Sequence, residues 1–213
     1  MELAFIFFTA YLTGFSGAVV PGPLLSVTVN ETIRRGIYAG PLLIVGHALL
    51  EIGIIAALIY GLSRYLESPL AGGILGVFGG VVLLWLGYGI IKESREGMLD
   101  LEAGRDEKSF GWNIIFAGII VSLSNPFFII WWGSIGAGYV MMSLQYGVAG
   151  ILAFYLGHIL SDFSWYTFVS WLVVRGKSRV SARVYQGVTA ACGVFLAGMA
   201  VFFLYSGFNF FLT

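Results

Sequence analysis

Residues 46–51 read GHALLE, and residues 157–162 read GHILSD. Each stretch lies inside an apolar run and sets a histidine four positions before a carboxylate. That spacing puts both polar groups on one face of a helix. A charge at the centre of a bilayer costs about 2.5–3.5 kcal/mol on insertion scales. Groups placed there must be paired, neutralised by protonation, or wetted. Whether the surrounding runs cross a membrane therefore decides how the chain folds.

Composition says that they do. Of the 213 residues 59% are hydrophobic and only 10% charged, against about 25% charged in soluble domains. The chain reads as an all-α polytopic membrane protein, one integral membrane domain in a lipid bilayer. The formal charge is zero and no basic block occurs, which argues against nucleic acid as a partner. The single cysteine, Cys192, excludes an internal disulfide. MELAFIFF, residues 1–8, lacks a basic leader and reads as the start of the first span. No HExxH or GxSxG spacing is present, so neither an enzyme, a catalytic residue nor a cofactor is expected.

A helix needs about 20 apolar residues to cross a bilayer. Six stretches qualify: 3–29, 38–62, 70–91, 112–142, 147–174 and 185–212. At about 1.5 Å per residue the first reaches roughly 40 Å and the fourth roughly 46 Å, against a core of about 30 Å. Both contain helix breakers, Pro21-Gly22-Pro23 and Asn125-Pro126. Proline removes a donor and clashes with the preceding turn. The freed backbone groups must face protein or a wet cavity. Helices 1 and 4 are therefore expected to break at proline, either as simple kinks or as the two sides of a transport site.

Ten of the eleven lysines and arginines fall in the loops after spans 1, 3 and 5, leaving Arg64 opposite. Positive charge stays in the cytoplasm. The expectation is a multi-pass protein of the cell membrane with both termini extracytoplasmic. Residues 93–111 read as a cytoplasmic linker.

An offset of 111 positions superposes His47 on His158, Glu51 on Asp162 and Gly46 on Gly157. The histidine match is the informative one, because the chain has only two. The proline breaks correspond once six extra residues are allowed in the second half. Three spans per copy invert the second copy. Residues 1–92 and 112–213 then form a 3+3 inverted-topology repeat, a basis for alternating access.

His47, Glu51, His158 and Asp162 fall near the expected midplane. Imidazole titrates at about pH 6.5 in water, near the working range of a proton relay. The quartet reads as a site for protons or for a small-molecule substrate. The bland alternative is polar glue between helices. A third is a divalent-metal site, since imidazoles and carboxylates suit zinc or nickel. Asn125 either contacts substrate or satisfies the broken backbone. Free N–H groups after a break suit a carboxylate, and free carbonyls suit an ammonium. An amino acid carries both. Gly72, Gly76 and Gly80 form a close-packing face, which permits a homo-oligomer. Trp131 and Trp132 read as interface anchors or core fillers. Glu31 beside Arg34 and Arg35 reads as a surface ion pair.

Pro21-Gly22-Pro23, followed by Gly36, Gly40 and Gly46, resembles the lysine exporter (LysE)-type, RhtB-like translocators. SLSNPFFIIWW, residues 122–132, resembles the Asn-Pro signature of that family. The likeness spans almost the whole chain. It implies a secondary exporter of amino acids or similar metabolites, commonly proton-coupled. It makes Pro21, Gly22, Pro23, Asn125 and Pro126 signature positions and fits Glu51 to a frequent span-2 acid. The two histidines depart from the pattern. A divalent-cation exporter is the alternative, and a non-transporting scaffold would tolerate loss of all four buried groups.

Overall fold

The two breaks organise the architecture. A computed structural model describes residues 2–20, 22–61, 69–95, 110–177 and 182–212, and no strand occurs among them. Helix α1 (Glu2–Ala18) ends four residues before α2 (Pro23–Arg35) begins, and the two axes differ by 80°. Pro21 lies outside the described residues. Gly22 caps α2 in an extended conformation, and Pro23 opens the helix, where its missing N–H is harmless. Helix α3 spans Ala39–Ile59 and α4 Pro69–Arg95.

The second break separates α5 (Phe110–Leu123) from α6 (Pro126–Trp131). Asn125 accepts a hydrogen bond on Oδ1 from the Phe127 N–H at 3.1 Å, the side-chain cap a helix start requires. A π-helical stretch, Trp132–Gly136, then leads into α7 (Ala137–Leu144). Helices α8 (Gly147–Lys177) and α9 (Ala182–Leu212) complete the chain.

Four described helices are long and apolar enough to cross a bilayer: Ala39–Ile59, Phe127–Leu144, Gly147–Gly176 and Gln186–Asn209. The bent pair α1–α2 makes a fifth. Against the six expected spans, α4 contributes Gly76–Lys92 as its apolar described part. The expected fourth span is cut in two, because the Asn125-Pro126 break divides it. Most of the expected linker, 96–109, and Arg64 lie outside the described residues.

Three pairings hold the bundle: α1 on α8, α3 on α5, and α4 on α9. Glycine sets their closeness. A Cβ on Gly46 of α3 would collide with the Ile115 carbonyl of α5, and one on Gly157 of α8 with the Phe7 carbonyl of α1. A Cβ on Gly76 would lie 2.8 Å from Gly207 Cα, and one on Gly80 3.0 Å from the Ala200 carbonyl. Gly76 and Gly80 of this glycine face therefore pack against α9 of the same chain.

The outer surface carries Phe8, Trp85 and Val148, exposed by 62, 71 and 76%. Apolar exposure on this scale is stable against lipid and not against water. Charge gathers at helix ends. Glu31 pairs with Arg34 at 3.7 Å and Arg35 at 2.6 Å, the ion pair expected there. The Tyr146 hydroxyl donates to Glu2 Oε2 at 3.3 Å, and that carboxylate holds the phenol above its ordinary range.

Candidate functional site

Helices α3 and α8 each turn one His/acid face inward, and the faces meet. His47, Glu51, His158 and Asp162 are all buried, with Glu51 fully enclosed. Glu51 Oε1 lies 3.0 Å from His47 Nε2 on its own helix and 2.9 Å from His158 Nε2 across the interface. Asp162 stands further off, its Oδ2 3.9 Å from His47 Nε2 and 3.7 Å from His158 Nε2. Neither Asp162 Oδ2 nor Glu51 Oε2 has a hydrogen-bond partner among the described residues. The structure thus brings all four expected polar residues into one cluster, with the two carboxylates in different states of engagement.

The cluster opens on a cavity of about 290 Å³. Gly22 and Asn125, one from each break, also line it. A Cβ added at Gly22 would sit 3.8 Å from Asn125 Nδ2, so the breaks face each other. Asn125 caps α6 and borders the cavity at once. Pro23, one of the signature positions, is buried in α2, and Pro126 is the first residue of α6.

Aromatic rings form the remaining wall. Trp131 stacks on His158 with centroids 4.4 Å apart and planes 20° apart. Trp132 meets the same imidazole edge-on at 5.5 Å, and Phe154 stacks on it at 5.9 Å. Phe128 meets His47 at 5.2 Å. Neighbours on an α-helix point about 100° apart. Trp131 and Trp132 nevertheless both reach His158, at the point where the helix widens into its π-helical stretch. Such stretches recur at functional sites. These tryptophans are therefore cavity walls, not interface anchors. Across the cavity, Trp131 Nε1 donates to Ser16 Oγ at 3.3 Å.

A second cavity, about 520 Å³, lies between α2, α4 and α5 and is lined by Asn30, Glu31, Arg34, Trp85 and Asn113 among others. The two cavities are separated by about one turn of α2, since Leu24 lines the first and Val27 the second.

One donor atom each from His47, Glu51 and Asp162 lies within 4.8 Å of the others. His47 Nε2 and Glu51 Oε1 are also at hydrogen-bond distance from each other, 3.0 Å.

A family model described as LysE type translocator matches residues 15–207.

The chain belongs to that family.

Among relatives, it is 26% identical to YcgF of Bacillus subtilis (strain 168), provisionally named an amino acid efflux protein, over 95% of this chain and 96% of that one. It is 31% identical to the chemotactic transduction protein ChpE of Pseudomonas aeruginosa, over 92% and 95%. It is 27% identical to the arginine exporter ArgO of Salmonella typhimurium, over 84% of each chain. No solved structure matches it. Membership of a translocator family agrees with the expectation of a transporter rather than an enzyme.

The sequence did not reveal Ser122, which lies 2.7 Å from His47 Nδ1. Its only signal was position, three residues before the Asn-Pro break.

Proposed function

We propose that this protein exports amino acids or related small metabolites across the cell membrane, coupled to protons, by alternating access around the His/carboxylate cavity. One observation carries the reading: Glu51 is engaged by both histidines, while Asp162 presents an unpartnered oxygen to the same cavity. Glu51 is placed to hold a proton with the imidazoles. Asp162 is placed to receive the ammonium of the cargo. The flat faces of Trp131 and Trp132 favour a cation beside them. The names of YcgF and ArgO agree with such a cargo.

In this reading residues 1–92, with α1–α3 and most of α4, form one half, and residues 112–213, with most of α5 and all of α6–α9, form the other. The halves are inverted repeats of three spans each, joined at 93–111 in the cytoplasm, with both termini outside. Helix pairing supports it. Exchanging the halves turns α3 on α5 into α8 on α1, and leaves α4 on α9 as its own counterpart. Gly46 and Gly157, the repeat-related glycines, make the tight contact in each of the first two pairs. The second cavity then lies toward the cytoplasmic ends of its helices, on the route by which cargo enters. The divalent-cation alternative finds no support in the family match or in the names of these relatives.

The test is transport of radiolabelled amino acids by the purified protein in liposomes under an imposed pH gradient. The wild type should respond to the gradient, and Glu51→Gln should abolish the response. Absence of any amino-acid flux in the wild type, or wild-type behaviour in both Glu51→Gln and Asp162→Asn, removes the proposal.

A further inference from the structure

Ser122 fixes where protons sit in this cluster. Its Oγ lies 2.7 Å from the Gly118 carbonyl oxygen and 2.7 Å from His47 Nδ1. A serine hydroxyl has one proton, and a carbonyl oxygen can only accept. Both contacts are hydrogen bonds under one assignment alone. Ser122 donates to Gly118, and His47 Nδ1–H donates to Ser122.

A neutral imidazole carries a single N–H. With that proton on Nδ1, Nε2 of neutral His47 is a bare lone pair. Yet Nε2 lies 3.0 Å from Glu51 Oε1, a second lone-pair atom. Two acceptors at that distance repel, so a further proton must lie between them. It rests on Nε2, giving an imidazolium and a carboxylate, or on Oε1, giving a neutral pair. The count is the same in both. We infer that the His47–Glu51 contact is a proton-binding site, occupied in this structure, and that Ser122 is the residue that creates it.

The other imidazole supplies the contrast. His158 Nδ1 has no hydrogen-bond partner among the described residues. Where Ser122 faces His47, Gly14 of α1 faces His158, and a Cβ there would lie 3.0 Å from Nδ1. On this side the neutral Nε2–H tautomer is enough to account for the 2.9 Å contact with Glu51, and nothing at Nδ1 forces a second proton onto the ring. Only on the His47 side does the hydrogen-bond geometry itself require the extra proton.

The groups facing this site are few. Helix α8 brings His158, Asp162, Tyr155 and Tyr166, and the Tyr155 hydroxyl donates to the Ala48 carbonyl at 3.1 Å. Helix α5 has no ionisable side chain. Helix α7 has Tyr139, whose hydroxyl pairs with Thr13 at 3.0 Å, and the charges of α2 sit in its last two turns. Loss of the proton turns the His47–Glu51 attraction into repulsion while His158 still holds Glu51. An ammonium bridging Asp162 and Glu51 would satisfy the same carboxylate. Proton and cationic cargo thus compete for one oxygen, as exchange requires. This last step rests on the export reading, but the proton assignment does not.

The experiment is nitrogen-15 NMR of histidine-labelled full-length protein in liposomes, across pH and without cargo. Two histidines give four ring nitrogens, and His47→Gln assigns them. The wild type should show His47 Nδ1 as N–H throughout, with Nε2 moving from proton-sharing to bare as pH rises. Ser122→Ala should release the tautomer, and Ser122→Thr, which keeps the hydroxyl, should restore it. In transport, Ser122→Ala should shift the pH midpoint by about one unit, a tenfold change in proton affinity, and Ser122→Thr should not. A bare Nδ1 on His47 in the wild type overturns the assignment, whether or not Ser122→Ala folds. So does a Ser122→Ala spectrum identical to wild type. A wild type that carries no amino acid yet shows the expected tautomer overturns the export reading and leaves the proton site standing.

Discussion

His158 reaches across the helix interface to Glu51, Nε2 to Oε1, at 2.9 Å. This bond and the His47 contact make Glu51 the common partner of two imidazoles on two helices. Truncating such a group strands both. Glu51→Ala is expected to cost about 3–5 kcal/mol, as for a broken buried ion pair. Glu51→Gln keeps the shape and should fold with a smaller loss. Thermal unfolding in detergent would rank them, and equal midpoints for the two variants would contradict the network.

Asp162 should behave differently. Its Oδ2 has no hydrogen bond to lose, so Asp162→Asn is expected to be nearly neutral for stability. Its effect should fall on cargo, raising KM by tenfold or more with a smaller change in the pH response. A KM unchanged from wild type would show that this carboxylate does not meet the substrate.

The glycine contacts predict a contrast. Gly46→Ala and Gly157→Ala force a methyl into a carbonyl of the neighbouring helix. Each should destabilise by about 1–3 kcal/mol, as overpacking does. Gly53, on the same helix as Gly46, has nothing within 4 Å of its would-be Cβ. Gly53→Ala should therefore be harmless. Melting temperatures of the three variants decide the matter.

Asn125 caps α6 through Oδ1. Asn125→Ala should cost about 0.5–2 kcal/mol, and Asn125→Asp or Asn125→Ser should recover most of it. If Asn125→Asp restores folding but not transport, the amide has a second duty at the cavity, which it also lines.

Trp131 lies flat on His158 at 4.4 Å. Trp131→Phe should keep the stack and most transport, whereas Trp131→Ala should enlarge the cavity and relax selection for cargo size. Competition assays with a series of amino acids would show it, and an unchanged selectivity order would rule the wall out as a filter.

Much of this site was legible because hydrocarbon penalises polar groups. His47, Glu51, His158 and Asp162 stood out as exceptions in apolar runs, and i, i+4 spacing assigned each pair to one face. The break before α6 was equally plain, since proline cannot continue a helix. Other features left no such trace. Ser122 is an ordinary residue in a membrane helix, and only the meeting of α5 with α3 gives it a histidine. Trp131 and Trp132 read as interface anchors or core fillers, and nothing in the sequence placed them against a histidine. Their meeting with His158 depends on how this segment packs against α8, which no periodicity announces. The unequal engagement of Glu51 and Asp162 was hidden for the same reason: it is set by packing between helices far apart in sequence.

The wide turn at Trp132–Gly136 has a practical consequence for anyone mapping this segment. A π turn takes in about one residue more than an α turn, and one residue is worth about 100° of azimuth. Angular positions reckoned forward from Pro126 are therefore out of phase with those reckoned back from Leu144. A cysteine-accessibility or tryptophan-scanning profile fitted with one continuous wheel would smear two clean stripes into none. Counting afresh on each side of residues 132–136 should bring both stripes back.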